Sequence, residues 1–169
     1  MDVDDAIRRR RTHKRFGPEP LARETLEELF ELARHAPNHR LTEPWRFRVL
    51  GPETLARLKQ AGGEKEAAKL ERAPTIVCAT ARLTGDVLQD EEDLHATAAA
   101  VYAVLLAAEA RGLAAYWRTP ALLRTKQGRE IAGLEDGERF VGLVYLGPRV
   151  AEPPPKERRP LDACLEFLP

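Results

Sequence analysis

Apolar residues recur along the chain at two spacings, and the spacing predicts which segments are helices and which are strands. In residues 2–11 and 23–35 they recur every three or four positions, which is typical of a helix with one buried face. Acidic residues open the first of these segments and arginines close it, an order that suits the helix dipole. The second helix must end near Ala36, because Pro37 disfavours helical geometry in the residue before it.

The longest predicted helix covers residues 90–111, and its centre is apolar on every side. A helix of this kind runs through the core of a protein. Gly112 follows at the position where a glycine commonly ends a helix. The 75–80 run is continuously β-prone, so we expect a strand that is covered on both faces. The other predicted elements are strands at 45–49, 113–117 and 140–146 and shorter helices at 53–61, 64–72 and 122–132.

The segment after residue 147 has no regular pattern and contains three consecutive prolines. No internal repeat, low-complexity stretch or domain boundary interrupts the chain before it, and 169 residues suit one compact body. We therefore expect a single domain over residues 1–169. Within it, residues 148–169 are expected to form an extended arm that packs on another subunit.

The charges of the chain are balanced, with 27 lysines and arginines against 27 aspartates and glutamates. A net charge of zero argues against a dedicated binder of nucleic acids or membrane surfaces. The longest apolar stretch, Ala96–Ala108, is shorter than the ~20 residues that a membrane span needs. The first residues do not resemble a signal peptide, and two cysteines are too few for a disulfide framework. These features predict a cytoplasmic protein.

Common catalytic motifs are missing from the sequence. The chain contains no serine, which excludes a serine nucleophile. It also lacks the glycine-rich phosphate-binding motifs of the dinucleotide-binding and P-loop folds. His35 and His39 have a spacing that can bind zinc on a helix, but Pro37 lies between them and breaks the helix. We therefore predict no metal site.

Four segments rich in cations or aromatic residues remain as candidate sites. The run from Arg8 to Arg15 allows three interpretations: a solvated helix end, a nucleic-acid-binding patch, or an anion pocket in which arginine forks hold a phosphate. Composition alone favours the solvated helix end. Segment 36–45 is either a stiff, proline-bounded loop that lines a site or a simple connection. On composition alone, segment 112–120 could be a core strand and segment 156–161 an exposed charged linker.

Taken in order, these segments resemble the motifs of the FMN-dependent nitroreductase family over nearly the whole chain. Arg10-Arg11-Thr12 is similar to that family's arginine-arginine-serine start, with threonine in place of serine. The residues from Ala36-Pro37 to Pro44-Trp45-Arg46-Phe47 resemble its proline-rich loop and strand. Trp117-Arg118-Thr119 and the closing strand Val144-Tyr145-Leu146-Gly147 match two further motifs. The short length is most similar to the compact bacterial branch of NAD(P)H nitroreductases.

The resemblance implies a fold and a reaction. The fold would be α+β, with a central, mostly antiparallel sheet flanked by helices, in an interleaved homodimer that holds FMN at each subunit interface. Hydride would pass from NADH or NADPH to flavin N5 and on to nitroaromatic, quinone or similar flat acceptors, in a double-displacement scheme. No catalytic side chain would be needed, because the flavin carries the chemistry.

The resemblance also implies which residues hold the flavin. Arg10 and Thr12 would bind its phosphate, with Arg11 contributing main chain or charge. Lys14 would approach the pyrimidine edge of the ring and stabilise the reduced, anionic flavin. The remaining implied contacts are His35, Pro37, Asn38 and His39 from the loop of the second subunit, Trp117, Arg118 and Thr119 from the first, and Lys156 and Arg158 from the tail.

Three positions depart from the family pattern. Pro120 replaces a usual glycine and removes a main-chain N–H, Leu41 replaces an asparagine, and His35 replaces a frequent arginine. Other functions stay open beside the leading hypothesis. They are a non-catalytic FMN-binding or storage protein, a same-fold enzyme that performs flavin fragmentation or dehalogenation, and a nucleic-acid binder built on the run from Arg8 to Arg15.

Overall fold

A four-stranded antiparallel sheet lies at the centre of the molecule. The computed structural model describes all 169 residues, and its strands are arranged in the order β1-β2-β4-β3. The expectation of an α+β fold around an antiparallel sheet is confirmed. The strands are β1 (Trp45–Val49), β2 (Thr75–Arg82), β3 (Leu113–Arg118) and β4 (Glu138–Pro148); the helices are α1 (Val3–Arg9), α2 (Arg23–Ala33), α3 (Pro52–Leu70), α4 (Val87–Ala110) and α5 (Lys126–Ile131).

Each face of the sheet has its own hydrophobic core, which explains why β2 is apolar at successive positions. Val77 and Ala79 belong to the core shared with α2 and α4. Ile76 and Cys78 belong to the opposite core, which includes residues of α3. Successive side chains of a strand point to opposite faces, so a strand between two cores must be apolar throughout. The prediction of a strand covered on both faces is confirmed.

The long apolar helix α4 is a core element, as its sequence predicts. Its length and composition would suffice to cross a membrane, but 56% of its most apolar 18-residue stretch is buried inside the fold. The helix begins at Val87, three residues before the predicted start, because the side chain of Asp86 accepts a hydrogen bond from the Gln89 N–H at 2.8 Å. It ends before Gly112, whose φ of 69° is the left-handed conformation that glycine adopts most easily.

The prediction of one helix over residues 122–132 is wrong. The structure has a 3₁₀ turn at Ala121–Arg124 and then the short helix α5. Thr125 separates them, because its backbone is extended and its side chain caps α5 by accepting the Gly128 N–H at 3.1 Å. The predicted break between two charged helices is present at Gly63, where φ is 69° inside α3.

The tail after β4 is largely exposed and contains one 3₁₀ turn, Leu161–Ala163. Several of its apolar side chains face solvent, with Leu168 80% and Phe167 89% exposed. Their contact with a second subunit stays a prediction.

Candidate functional site

A cavity of about 900 Å³ lies between the N-terminal segment and the tail. Its volume is within the range of about 300–1,000 Å³ that is usual for small-molecule sites. Residues 7–15 form one wall and residues 151–158 line the other side. The structure therefore brings together two of the segments that the sequence singled out, although they lie at opposite ends of the chain.

The cavity is strongly cationic, and most of its charge is unpaired. Of the seven basic side chains in its lining, Arg8 pairs with Asp4 at 3.3 Å and Arg11 bonds to main-chain carbonyls. The only acidic residue of the lining, Glu152, pairs with Arg149 at 3.0 Å. Unpaired cations that converge on one cavity are suited to bind an anion such as a phosphate. The basic side chains without an intramolecular ion pair or hydrogen bond are Arg10, Lys14, Arg15, Lys156 and Arg158.

The end of α1 places the first of these cations. The helix runs from Val3 to Arg9 with Asp2 as its N-cap, and Arg10 leaves it with a non-helical backbone (φ -50°, ψ 125°). The Arg11 guanidinium donates to the carbonyl of Arg8 at 2.6 Å and to that of Arg10 at 3.2 Å. A cation at these carbonyls satisfies orphan acceptors at a helix C-terminus. The guanidinium of Arg11 is thus occupied, whereas that of Arg10 is free for a ligand.

The segment after α1 is held against the edge of the sheet. The His13 N–H donates to the Ala115 carbonyl at 3.0 Å, and the Ala115 N–H donates to His13 Nδ1 at 3.4 Å. Phe16 forms a single β-bridge with Arg149, and the Gly17 N–H donates to Pro148 O at 2.9 Å. The cation-bearing segment is therefore fixed to β3 and to the start of the tail.

His13 is the one buried side chain of the cavity lining, with 2% exposure. Desolvation and the nearby Arg149 charge lower its pKa from the ordinary value. Because Nδ1 accepts a hydrogen bond, the neutral ring carries its proton on Nε2. His13 therefore adds no charge to the cavity near neutral pH.

The loop with the predicted second-subunit contacts does not line this cavity. His35 Nε2 lies 3.7 Å from Glu31 Oε1, and His39 Nδ1 lies 3.2 Å from Glu92 Oε2. Asn38 holds the loop closed, since its Oδ1 accepts the Glu43 N–H at 2.7 Å. The loop contains three non-glycine residues with positive φ, namely Arg40, Leu41 and Glu43. Such backbone conformations are costly and occur at binding sites more often than elsewhere.

The segment Trp117–Thr119 is also outside the cavity lining. The Trp117 indole N–H donates to Val141 O at 3.2 Å. The Arg118 guanidinium forms a bidentate pair with Glu66, one bond of which is 2.6 Å, and donates to the Tyr145 hydroxyl at 3.1 Å. These bonds raise the pKa of Arg118 further above its usual range. A ligand contact from residue 118 therefore has to come from its main chain.

Sequence reasoning missed a buried ionic cluster behind the cavity. Glu109 is 2% exposed. Its Oε2 lies 2.6 Å from Arg149 Nη2, and its Oε1 lies 4.0 Å from Arg9 Nε. The available signal was a lone acid in the apolar C-terminal half of α4, since an acid in the last turn opposes the helix dipole and needs a cationic partner. Its partner is 40 residues away in the sequence, so the pairing itself could not be predicted.

Comparison with known proteins gives consistent matches. The sequence matches the model of the Nitroreductase family over residues 7–65 and 57–148. It is 28% identical to "Putative NAD(P)H nitroreductase YfhC" of Bacillus subtilis, over 93% of this chain and 89% of that protein. It is 30% identical to "Putative NAD(P)H nitroreductase YdjA" of Escherichia coli K12, over 87% of this chain and 88% of that protein.

Solved structures show the same fold. A nitroreductase-like family protein from Bacillus cereus superposes with a TM-score of 0.90 at 26% identity, covering 99% of this chain and 96% of the other. A protein from Desulfovibrio desulfuricans, described as a putative nitroreductase in complex with FMN, gives a TM-score of 0.85 at 25% identity, with the same two coverages.

Proposed function

The chain belongs to the nitroreductase family of oxidoreductases, and from that premise we propose that it is an FMN-dependent NAD(P)H oxidoreductase whose cationic cavity holds the flavin phosphate. The observation that carries the proposal is the set of five unpaired basic side chains around one cavity. The flavin phosphate carries up to two negative charges, and charge-assisted bonds to phosphate are the strongest that arginine and lysine form. A structural relative described as an FMN complex supports the choice of this anion.

The residues of the cavity have distinct roles in this proposal. Arg10 and the Thr12 hydroxyl bind the phosphate, and Lys156 and Arg158 approach it from the tail. Lys14 places a positive charge near the pyrimidine edge of the flavin, where it stabilises the reduced form. Arg11 acts through the main chain, because its guanidinium closes the end of α1. FMN, when bound, supplies the redox chemistry, in which hydride is taken from NADH or NADPH and two electrons pass to a nitroaromatic, quinone or similar flat acceptor.

The remaining predicted contacts belong to the same site in this proposal. Trp117 and Arg118 would contribute through the main chain, since both side chains are engaged within the chain, and Thr119 is exposed beside them. His35, Pro37, Asn38 and His39 lie on the loop that does not reach the cavity of its own chain. A homodimer, in which this loop reaches the cavity of the second copy, brings them to the flavin.

Exposed apolar residues at both ends of the chain support the homodimer. Val3 on α1 is 70% exposed, and Leu168 and Phe167 in the tail are more exposed still. Burying such side chains against a second copy removes apolar area from water. Sedimentation velocity should give a species of twice the chain mass, and a monomer that binds FMN fully would contradict this part of the proposal.

A reducing compartment such as the cytoplasm suits the thiols. Cys78 and Cys164 are both free, and Cys164 is exposed. Burial raises the pKa of the Cys78 thiol to about 12, so this side chain stays protonated near neutral pH.

The experiment that tests the function is anaerobic reduction of the FMN-loaded protein. NADH or NADPH should bleach the visible flavin absorbance, and a quinone or nitroaromatic compound added afterwards should restore it. Bleaching with no reoxidation by any acceptor of a panel would contradict the proposed acceptor class. Bound flavin that neither nicotinamide reduces would instead identify a non-catalytic FMN-binding protein.

A further inference from the structure

We propose that the buried ion pair between Glu109 and Arg149 is a positioning element, which fixes the two cation-bearing segments so that both reach one phosphate. This inference rests on the proposed function, because it concerns the same cavity. Glu109 and Arg149 do not line the cavity themselves. They act through the residues that do.

Glu109 occupies an unfavourable place for a carboxylate. It is buried to 2% exposure in the last turn of α4, where the helix dipole is also unfavourable for an acid. Arg149 Nη2 donates to its Oε2 at 2.6 Å, and Arg9 approaches its Oε1 at 4.0 Å. Buried ion pairs contribute little net stability compared with well-packed apolar residues. A role beyond stability would account for a pair in this position.

Arg149 connects four parts of the structure. Its Nη1 donates to Glu152 of the tail at 3.0 Å, and Nη2 donates to the carbonyl of Leu113 in β3 at 3.0 Å as well as to Glu109 of α4. Its main chain bridges to Phe16, at the end of the N-terminal segment. The residue is therefore the junction between the two walls of the cavity.

The cluster also contains polar atoms without partners. His13 Nε2, Glu109 Oε1 and Arg149 Nε are all buried and make no hydrogen bond. Unsatisfied buried polar atoms are rare in proteins and call for a specific explanation. His13 belongs to the cavity wall and is close enough to Arg149 for that charge to lower its pKa, so the cluster extends from α4 to the site. We attribute these unpartnered atoms to the need to hold the two cation-bearing segments in fixed positions.

The tail depends on this junction because little else restrains it. Residues 156–160 are exposed, and no ion pair or hydrogen bond holds Lys156 or Arg158 to the rest of the chain. Glu152, held by Arg149, is the last anchored residue before them. If the junction is loosened, both cations sample more positions and lose more conformational entropy when they bind a ligand.

The test compares Glu109→Gln with the same substitution in a second buried ion pair, at Glu138. Glu138 is also buried, and it accepts a hydrogen bond from Arg48 at 2.8 Å at a site outside the cavity lining. Glu109→Gln should raise the FMN dissociation constant about tenfold, whereas Glu138→Gln should leave it within about twofold. Both variants should lower the melting temperature, so thermal stability alone does not distinguish them. Unchanged FMN affinity in Glu109→Gln would overturn the inference.

A double-mutant cycle separates positioning from general damage. In a Lys156→Ala/Arg158→Ala background, Glu109→Gln should weaken FMN binding by less than about threefold, because the tail cations that the pair positions relative to the N-terminal segment are gone. A full tenfold loss in that background would also overturn the inference. If Glu109→Gln does not fold, Arg149→Lys enters the same cycle, since lysine keeps the charge but lacks the fork that joins Glu109 to Glu152.

Failure of the proposed function gives a different result. A wild-type protein that does not bind FMN would contradict that function and the inference together. A wild-type protein that binds FMN, with affinity unchanged in Glu109→Gln, would contradict the inference alone.

Discussion

At the scale of single residues, the partner of each arginine decides its role. Arg149 is paired with the buried Glu109 and Arg118 with the partly buried Glu66, and both arginines serve the structure of the chain. Arg10 has no partner and lines the cationic cavity. A buried guanidinium that already has its carboxylate gains little from a ligand, whereas an unpaired one gains charge-assisted bonds. This difference is the reason for assigning the phosphate to Arg10.

The stability of the fold should depend on pH through His13. Its pKa is lowered in the folded state, so the unfolded chain takes up a proton first as the pH falls below about 6.5. The free energy of unfolding should therefore decrease between about pH 7 and 5, by at most ~1.4 kcal/mol per pH unit from this group. Above the pKa that His13 has in the unfolded chain, its ring is neutral in both states and the free energy of unfolding is not reduced by this group.

The check is urea unfolding of wild type and His13→Asn over this pH range. The variant should be less stable at pH 7 but should show a shallower decline towards pH 5. Parallel declines in the two proteins would show that His13 does not titrate as described. The other histidines are present in both proteins, so their contributions cancel.

The sequence carries part of the residue-scale information. The early motif identifies Arg10, Thr12 and Lys14, and the structure places all three in the lining of one cavity. Residue type does not reveal orientation, so the motif could not show that the Arg118 guanidinium points to Glu66. The pairing of Glu109 with Arg149 is a long-range contact that no local pattern contains.

At the scale of elements, apolar periodicity locates helices and strands well but does not find local interruptions. The buried strand β2 and the core helix α4 have strong, continuous patterns, and both were predictable. The interruption at Thr125 depends on a side-chain cap that competes with helix continuation. A periodic apolar pattern spans this position whether or not the helix is broken.

Gly142 in β4 shows how one element restricts another. A Cβ at this position would lie 2.0 Å from Trp117 Nε1, so alanine must displace the indole ring that bonds to Val141. Gly142→Ala should lower the free energy of unfolding by about 1–3 kcal/mol, the usual range for overpacking. Thermal unfolding measures the loss, and a shift in tryptophan emission reports the moved ring.

Gly137→Ala is the control for this substitution. The nearest atom to its added Cβ is 3.9 Å away, so stability and emission should match those of wild type. A Gly142→Ala protein with wild-type stability would mean that the Trp117 ring packs less tightly against Gly142 than described.

At the scale of the whole molecule, a chain of zero net charge concentrates unpaired cations in one place. The balance of 27 against 27 conceals this local asymmetry, which arises only when the two ends of the chain meet. Clefts lined by one sign of charge raise the local concentration of oppositely charged ligands. Total charge was therefore a poor guide to the ligand, and the order of motifs along the chain was a better one.

The most direct test of this account is the affinity of the protein for FMN compared with riboflavin, which lacks the phosphate. Titration of the apoprotein, followed by flavin fluorescence, should show FMN binding at least about a hundredfold more tightly, since two charged hydrogen bonds contribute about 1.5–3 kcal/mol each. Arg10→Ala should reduce this preference at least tenfold, and Arg23→Ala, an exposed cation outside the cavity, should preserve it. Equal affinity for the two flavins, or an Arg10→Ala protein with the full preference, would contradict the assignment of the cavity to the flavin phosphate.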